Sequence, residues 1–229
     1  MSELFEIVCL AYSRKSQGKC VAGKALLPEI SGAWIRPVTT SEKGEIPPSQ
    51  CMFSDRAYIR VLDRLQISLI RPEPKSYQTE NYLVDEHFHW TRTGRMPWVE
   101  LEALLDAPDT LWKNGSHAYF GLNDRVSKRV AETLQHSLWL IRPELLSITV
   151  QMEGDTLLGH RMKVRARFHY RTVAYCLSIT DVRVERAFKL RGLGEYPIHE
   201  AYLCVSLGEP HTDDYCYKLV AAIITEEPL

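Results

Sequence analysis

Residues 161–171 read RMKVRARFHYR. Arg161, Lys163, Arg165, Arg167, His169 and Arg171 take every odd position, and Met162, Val164, Ala166, Phe168 and Tyr170 every even one. A period of two is the period of a β-strand, whose side chains alternate between its two faces. The stretch predicts a strand with one apolar face against a core and one cationic face turned outward. Like charges in a row repel each other, so such a face is either opposed by acidic neighbours or used by a polyanion lying across it.

Strand signals continue on both sides of this stretch. Residues 145–152 (LLSITVQM), 173–180 (VAYCLSIT), 201–207 (AYLCVSL) and 215–225 (YCYKLVAAIIT) are rich in β-branched and aromatic residues and are bounded by turn formers such as Gly154 and Gly192 to Gly194. Five strands within so short a segment suit a small closed barrel, of which the five-stranded OB-fold is the form most used for nucleic acids. The N-terminal part repeats the pattern at residues 5–12, 20–27, 33–38, 58–70 and 81–84. Between them the character changes. Residues 97–105 (PWVELEALL) read as a helix start with Pro97 at its first position. Residues 123–134 (NDRVSKRVAETL) read as a helix capped by Asn123, with Val126, Val130 and Leu134 on one stripe. The fold class expected is therefore mainly β, with two tandem OB-like barrels over residues 1–96 and 137–229 and a helical connection over residues 97–136.

Composition sets bounds. The chain has 229 residues, 45% hydrophobic and 25% charged, which suits a folded globular protein rather than a disordered one. No apolar run is long enough for a membrane helix, and the start MSELFEIV carries acidic residues where a secretion signal would be basic, so a cytoplasmic protein is expected. The six cysteines form no CxxC pair; Cys9, Cys176 and Cys204 fall in apolar runs and read as buried hydrophobes. A net charge of −1 conceals a dipolar C-terminal third: residues 161–191 carry nine Arg or Lys against Asp181 and Glu185, whereas residues 192–229 carry Lys218 against seven acids.

Several clusters are candidates for chemistry. Arg14 and Lys15, in a turn expected over residues 13–19, could hold phosphate. Trp34 and Arg36 share a face of the third strand, where Trp34 could stack on a base and Arg36 pair with its phosphate. Gln78, Glu80 and Asn81 form a polar group suited to a ligand pocket or to reading base edges. Asp85, His87 and His89 would share one face if extended, a set able to hold zinc. Tyr217 and Lys218 adjoin on the last strand. Glycine-rich phosphate loops, GxSxG and HExxH are absent, so no familiar catalytic motif is present and no cofactor is implied.

A broader resemblance joins these pieces. Ser13-Arg14-Lys15, Gly18-Lys19-Cys20-Val21-Ala22-Gly23 and Gly32-Ala33-Trp34-Ile35-Arg36-Pro37-Val38 come first. Glu80-Asn81-Tyr82, Leu111-Trp112, Asn123-Asp124-Arg125-Val126 and Ser137-Leu138 follow. The C-terminal part adds Ile179-Thr180-Asp181, Ser206-Leu207-Gly208-Glu209 and the run Cys216-Tyr217-Lys218-Leu219-Val220-Ala221-Ala222. Together they resemble the dual OB-fold domain family of prokaryotes over nearly the whole chain. The resemblance implies two tandem OB-folds, nucleic-acid recognition and a link to defence against mobile DNA, with a protein partner in such a complex. It supplies no catalytic residues.

The function these patterns suggest is a non-catalytic module that binds single-stranded DNA or RNA across Arg161, Lys163, Arg165, Arg167, His169 and Arg171, continued by Arg14, Lys15, Trp34 and Arg36. On this reading, replacing Arg165 and Arg167 by Glu abolishes binding and leaves the fold intact. The alternatives are a sensor of a phosphorylated or nucleotide ligand between the barrels, a metal-dependent nuclease built on Asp85, His87 and His89, and an adaptor for a protein partner.

Overall fold

In the computed structural model, which describes residues 2–15, 18–155, 159–227 and 229, the chain divides into two compact units. The first comprises residues 1–105 and 135–137, and the second residues 106–134 and 138–229. The stretch expected as a helical connection is thus shared between the units: residues 98–104 form a 3-10 helix in the first, and residues 106–134 pack with the second.

The first unit contains β1 (Glu3–Lys15), β2 (Gly18–Ala25), β3 (Trp34–Val38), β4 (Asp63–Pro72), β5 (Asn81–Val84) and β6 (Thr91–Arg95). β1 is long enough to serve two partners. Its first half pairs with β4 and its second half with β2, so the order β1-β2-β3-β5-β4 closes back on β1. β3 and β5 run parallel, and the other pairs of the ring are antiparallel. This is the five-stranded Greek-key barrel of the OB type, in which closure removes exposed strand edges. A bulge between Cys9 and Ala11 lets β1 coil from one partner to the other. It also presses β1 onto β2, where a Cβ on Gly23 would lie 2.1 Å from the Val8 carbonyl oxygen. Inward-facing Ile7, Cys9, Val21, Ile35, Leu65, Ile67 and Val84 fill the barrel.

The second unit begins with β7 (Arg125–Ser127) and the single turn α1 (Lys128–Ala131), then β8 (Leu138–Ile141), β9 (Glu144–Asp155), β10 (Gly159–Tyr170) and β11 (Val173–Ile179). It continues with α2 (Val182–Arg191), β12 (Gly194–Pro197), β13 (Tyr202–Pro210) and β14 (Tyr215–Ile224). Its sheet runs β12-β9-β10-β11-β14-β13-β8, with β7 beside β14 and a parallel β11–β14 pair. The run β9-β10-β11-β14-β13 repeats the order of the first barrel. The ladder stays open because the return strand is split. β12 pairs with β9, the chain crosses over residues 198–201 after Pro197, and β13 pairs with β14. The architecture is mainly β, with one closed barrel and a second sheet of the same strand order.

Two local readings change. The helix expected over residues 123–134 is β7 followed by one turn, because Val126 pairs with Cys216 of β14 and is buried there. Tertiary pairing outweighs a weak helical stripe. The one long helix among the described residues, α2, was not anticipated. Asp181 caps it by accepting from the Arg183 and Val184 amides, Gly192 (φ 93°) ends it, and it buries Val184 and Phe188. Burial pushes the Asp181 carboxyl up, against those amide bonds. No helix of the described residues is long and apolar enough to cross a membrane.

Candidate functional site

β10 alternates as its sequence requires. Val164, Ala166, Phe168 and Tyr170 are buried, with Phe168 stacked on Tyr175 at 5.3 Å, while Arg161, Lys163, Arg167 and His169 are exposed. The outer surface of β9, β10 and β11 brings together Ser147, Thr149 and Gln151 of β9, the cationic row of β10, and Ala174, Cys176 and Ser178 of β11.

The row is broken at its middle. Arg165 is 8% exposed, and its guanidinium grips Glu153 in two bonds, Nε to Oε1 at 2.6 Å and Nη2 to Oε2 at 2.9 Å. Its Nη1 lies 3.8 Å from Asp124. Burial alone would raise the Glu153 carboxyl, but the hydrogen bonds from Arg165 and Gln151 outweigh it and hold the group below the usual range. Burial likewise opposes the charge on Arg165, and the Glu153 bonds reverse the sign and raise its pKa. Arg165 is therefore a structural ion pair and not an open phosphate contact. A glutamate there would face Glu153 and Asp124, so the fold would not stay intact in an Arg165→Glu variant. Arg171 also departs from the row. It lies past the strand end with φ 52°, donating to Asp109 at 3.0 Å and to the Ala107 carbonyl.

Arg167 makes no hydrogen bond or ion pair among the described residues. It stands directly opposite Ser147 and Cys176 on the neighbouring strands and lines an open groove of about 450 Å³. Burial pushes the Cys176 thiol up. His169, Gln151 and Glu195 of β12 line the same groove, with Gln151 opposite Lys163 in the strand register. The rim is apolar and exposed: Tyr119 is 93% exposed and Leu145 is 81% exposed. Leu145 takes a left-handed conformation (φ 50°), a strained choice for a branched side chain, and strain of this kind gathers at binding sites.

Tyr119 sits on a loop that the structure holds firmly. Leu122 exchanges both backbone hydrogen bonds with Cys176, so the loop extends the sheet beyond β11. Asn123 donates to the Ala174 carbonyl and accepts from the Gly115 amide. Asp124 accepts from the Ala118 amide at 2.8 Å. Gly121 is required because a Cβ there would lie 1.8 Å from the Asp124 carboxylate. Tyr119 and Phe120 meet edge to face at 4.8 Å. Lys218, which adjoins Tyr217 on the last strand, is 1% exposed. Its ammonium donates to the Lys113 carbonyl at 2.8 Å and to Asn114 Oδ1 at 2.9 Å, pinning the start of this loop. Burial pushes its pKa down to about 7, against the pull of Asp124. Tyr217 donates to Asp213 on its own hairpin.

The corresponding surface of the first barrel is closed. Ile35 points into the core, so Trp34 and Arg36 point outward, yet Arg36 is 3% exposed. Arg36 pairs with Glu80 at 3.0 Å and donates to Ser137 at 2.8 Å, and the Ser137 hydroxyl donates to Glu80. Asn81 and Gln78 complete this buried network. Lys24 lies over the Trp34 ring and donates to the Leu104 carbonyl at 2.7 Å. Residues 104 and 137 of the same unit thus meet Lys24 of β2 and Arg36 of β3, leaving Arg36 buried and Trp34 half-buried. Arg14 and Lys15 lie on β1, opposite Lys19 and Gly18, and not in a turn.

The proposed metal set is not assembled. β5 ends at Val84, residues 85–87 turn, and Asp85 accepts from the His87 amide at 3.1 Å and from Ser2. The extended geometry that would align Asp85, His87 and His89 is absent, and no group of three or more His, Cys, Asp or Glu among the described residues could hold a metal ion.

Of the residues expected from the sequence, Arg161, Lys163, Arg167 and His169 are exposed on this face. Tyr119, Leu145, Gln151 and Glu195, which the sequence did not single out, line the groove with Arg167 and His169. A family model described as a dual OB-containing domain matches residues 5–223. No curated protein and no solved structure matches the chain.

Proposed function

The chain belongs to the dual OB-containing domain family, and from that premise we propose that it binds single-stranded nucleic acid across the outer surface of β9, β10 and β11. One observation carries the reading: of two surfaces built on the same strand order, the first is filled by the chain itself, while the second is open. On that open surface Arg161, Lys163 and Arg167 are exposed, with Tyr119 at the rim. Cations that track phosphates and aromatics that stack on bases are what an OB-type surface needs to hold a single strand.

The extent of the row favours a strand over a single nucleotide. Arg161 and Arg167 are six residues apart on one strand, which spans about 20 Å. A mononucleotide filling the groove would leave Arg161 and Lys163 unused. A duplex suits the surface less well, since stacked and paired bases cannot reach Tyr119.

Fluorescence-anisotropy titration of labelled single-stranded DNA, single-stranded RNA and duplex DNA at low salt tests this. A single strand should bind more tightly than duplex. Tyr119→Ala, at a side chain too exposed to matter for folding, should weaken single-strand binding by about fivefold to a hundredfold, the range for one stacked base. No binding of either single strand at low salt would overturn the proposal.

A further inference from the structure

We propose that the groove of the second unit selects a guanine base, with Glu195 as its specificity-determining residue. This rests on the single-strand reading of the same surface and adds what that surface would read.

The groove separates its hydrogen-bonding chemistry by wall. On the β10 side stands Arg167, a donor only. On the β9 and β12 side, the Ser147 hydroxyl donates to Glu195 Oε1 at 2.5 Å, so its hydrogen is committed and its lone pairs are left. Gln151 donates one amide hydrogen to Glu153 Oε1 at 3.0 Å, which leaves its carbonyl oxygen as an acceptor beside one further N–H. The Glu195 carboxylate oxygens are acceptors. Glu195 is exposed, and its second oxygen has no hydrogen-bond partner among the described residues. One wall therefore offers the Arg167 donor fork, and the other the acceptors of Ser147 and Glu195.

Arg167 and Glu195 line one groove without pairing with each other, although Arg167 is opposite Ser147 and Ser147 holds Glu195. Two opposite charges kept apart across a groove favour a ligand that bridges them. Among the bases, guanine alone carries two acceptors, O6 and N7, on one edge and two parallel donors, N1–H and the 2-amino group, on another. The first pair matches an arginine fork and the second a carboxylate. Thymine and uracil offer a single ring N–H, and adenine has no donor pair for a carboxylate. Tyr119 and Leu145 at the rim would cover the face of the inserted base.

The test uses the full chain and a short oligothymidylate or oligouridylate, whichever it binds more tightly. The central nucleotide is left unchanged or replaced by guanosine, adenosine, cytidine or inosine, each with the matching sugar, and guanosine monophosphate is run as a separate ligand. The guanine-containing strand should bind about tenfold more tightly than the parent strand, in line with one good bidentate contact. Inosine, which lacks only the 2-amino group, should fall between them. Glu195→Gln should erase the preference, bringing the guanine-containing strand to the affinity of the other central bases in the same variant. Equal affinity for every central base would overturn the guanine assignment and leave the single-strand reading intact. Binding of guanosine monophosphate that depends on Glu195, without binding of any oligonucleotide, would support the guanine pocket and overturn the strand reading. Binding of neither would overturn both.

Discussion

Neutralising Arg161, Lys163 and Arg167 together, as the triple alanine variant, should flatten the salt dependence of binding by a calculable amount. These three side chains are exposed on one face of β10, and on the proposed reading they count as three phosphate contacts. Each contact to a single strand contributes about 0.7 to the slope of log affinity against log salt, so the triple variant should lose about 2 from that slope. Between roughly 50 and 200 mM salt, a fourfold range, those three contacts account for about a 20-fold loss of affinity in the unaltered chain, and the variant should lose that much less. Arg165 supplies the control. Its guanidinium is occupied by Glu153 and lies against Asp124, so Arg165→Met should leave the slope as it is. It should instead destabilise the fold by about 3–5 kcal/mol, because Glu153 is left buried without its cation. Anisotropy titrations across a salt series give the slopes, and urea denaturation gives the stability. A slope that flattens as much for Arg165→Met as for Arg167→Ala, with stability unchanged, would refute the division of this row into open and structural cations.

Two further outcomes follow from buried charges. Arg36→Met should destabilise the first barrel by about 3–5 kcal/mol in urea denaturation, by stranding Glu80; Arg36→Met with Glu80→Leu should recover much of the loss, and neither variant should alter the salt slope. Lys218 should make stability rise with pH between about 7 and 10.5. Within that window the unfolded chain binds a proton that the folded chain does not, so unfolding takes up a proton and raising the pH opposes it. A series of thermal melts should show the rise in the unaltered chain and a flatter profile in Lys218→Met; an identical profile in both would remove Lys218 as its source.

The sequence by itself determined most of the strands, though not β6, β7, β8 or β12, and within the strands it marked, the side on which each residue falls. Alternation over residues 161–171 placed Phe168 and Tyr170 in the core and Arg167 and His169 outside, since the pleat fixes which face a side chain takes once a strand forms. Residue patterns along the chain also carried the family and its repeated strand order. α2 was legible too, in Asp181 and Gly192 at its two ends, but its basic residues drew attention to charge rather than to capping.

Tertiary structure alone decided which outward residues are open. Periodicity names a face without naming what packs against it. Arg165 and Arg167 are alike in sequence, yet Glu153 and Asp124 neutralise the first and nothing among the described residues pairs with the second. Trp34 and Arg36 sit as far outside their barrel as Arg167 sits outside its sheet, but residues 104 and 137 meet Lys24 and Arg36 on that surface. Tyr119 and Glu195 reach the groove only because Leu122 pairs with Cys176 and β12 pairs with β9. A burial or an ion pair between segments distant along the chain depends on how the whole chain closes, and no local pattern of residues contains it.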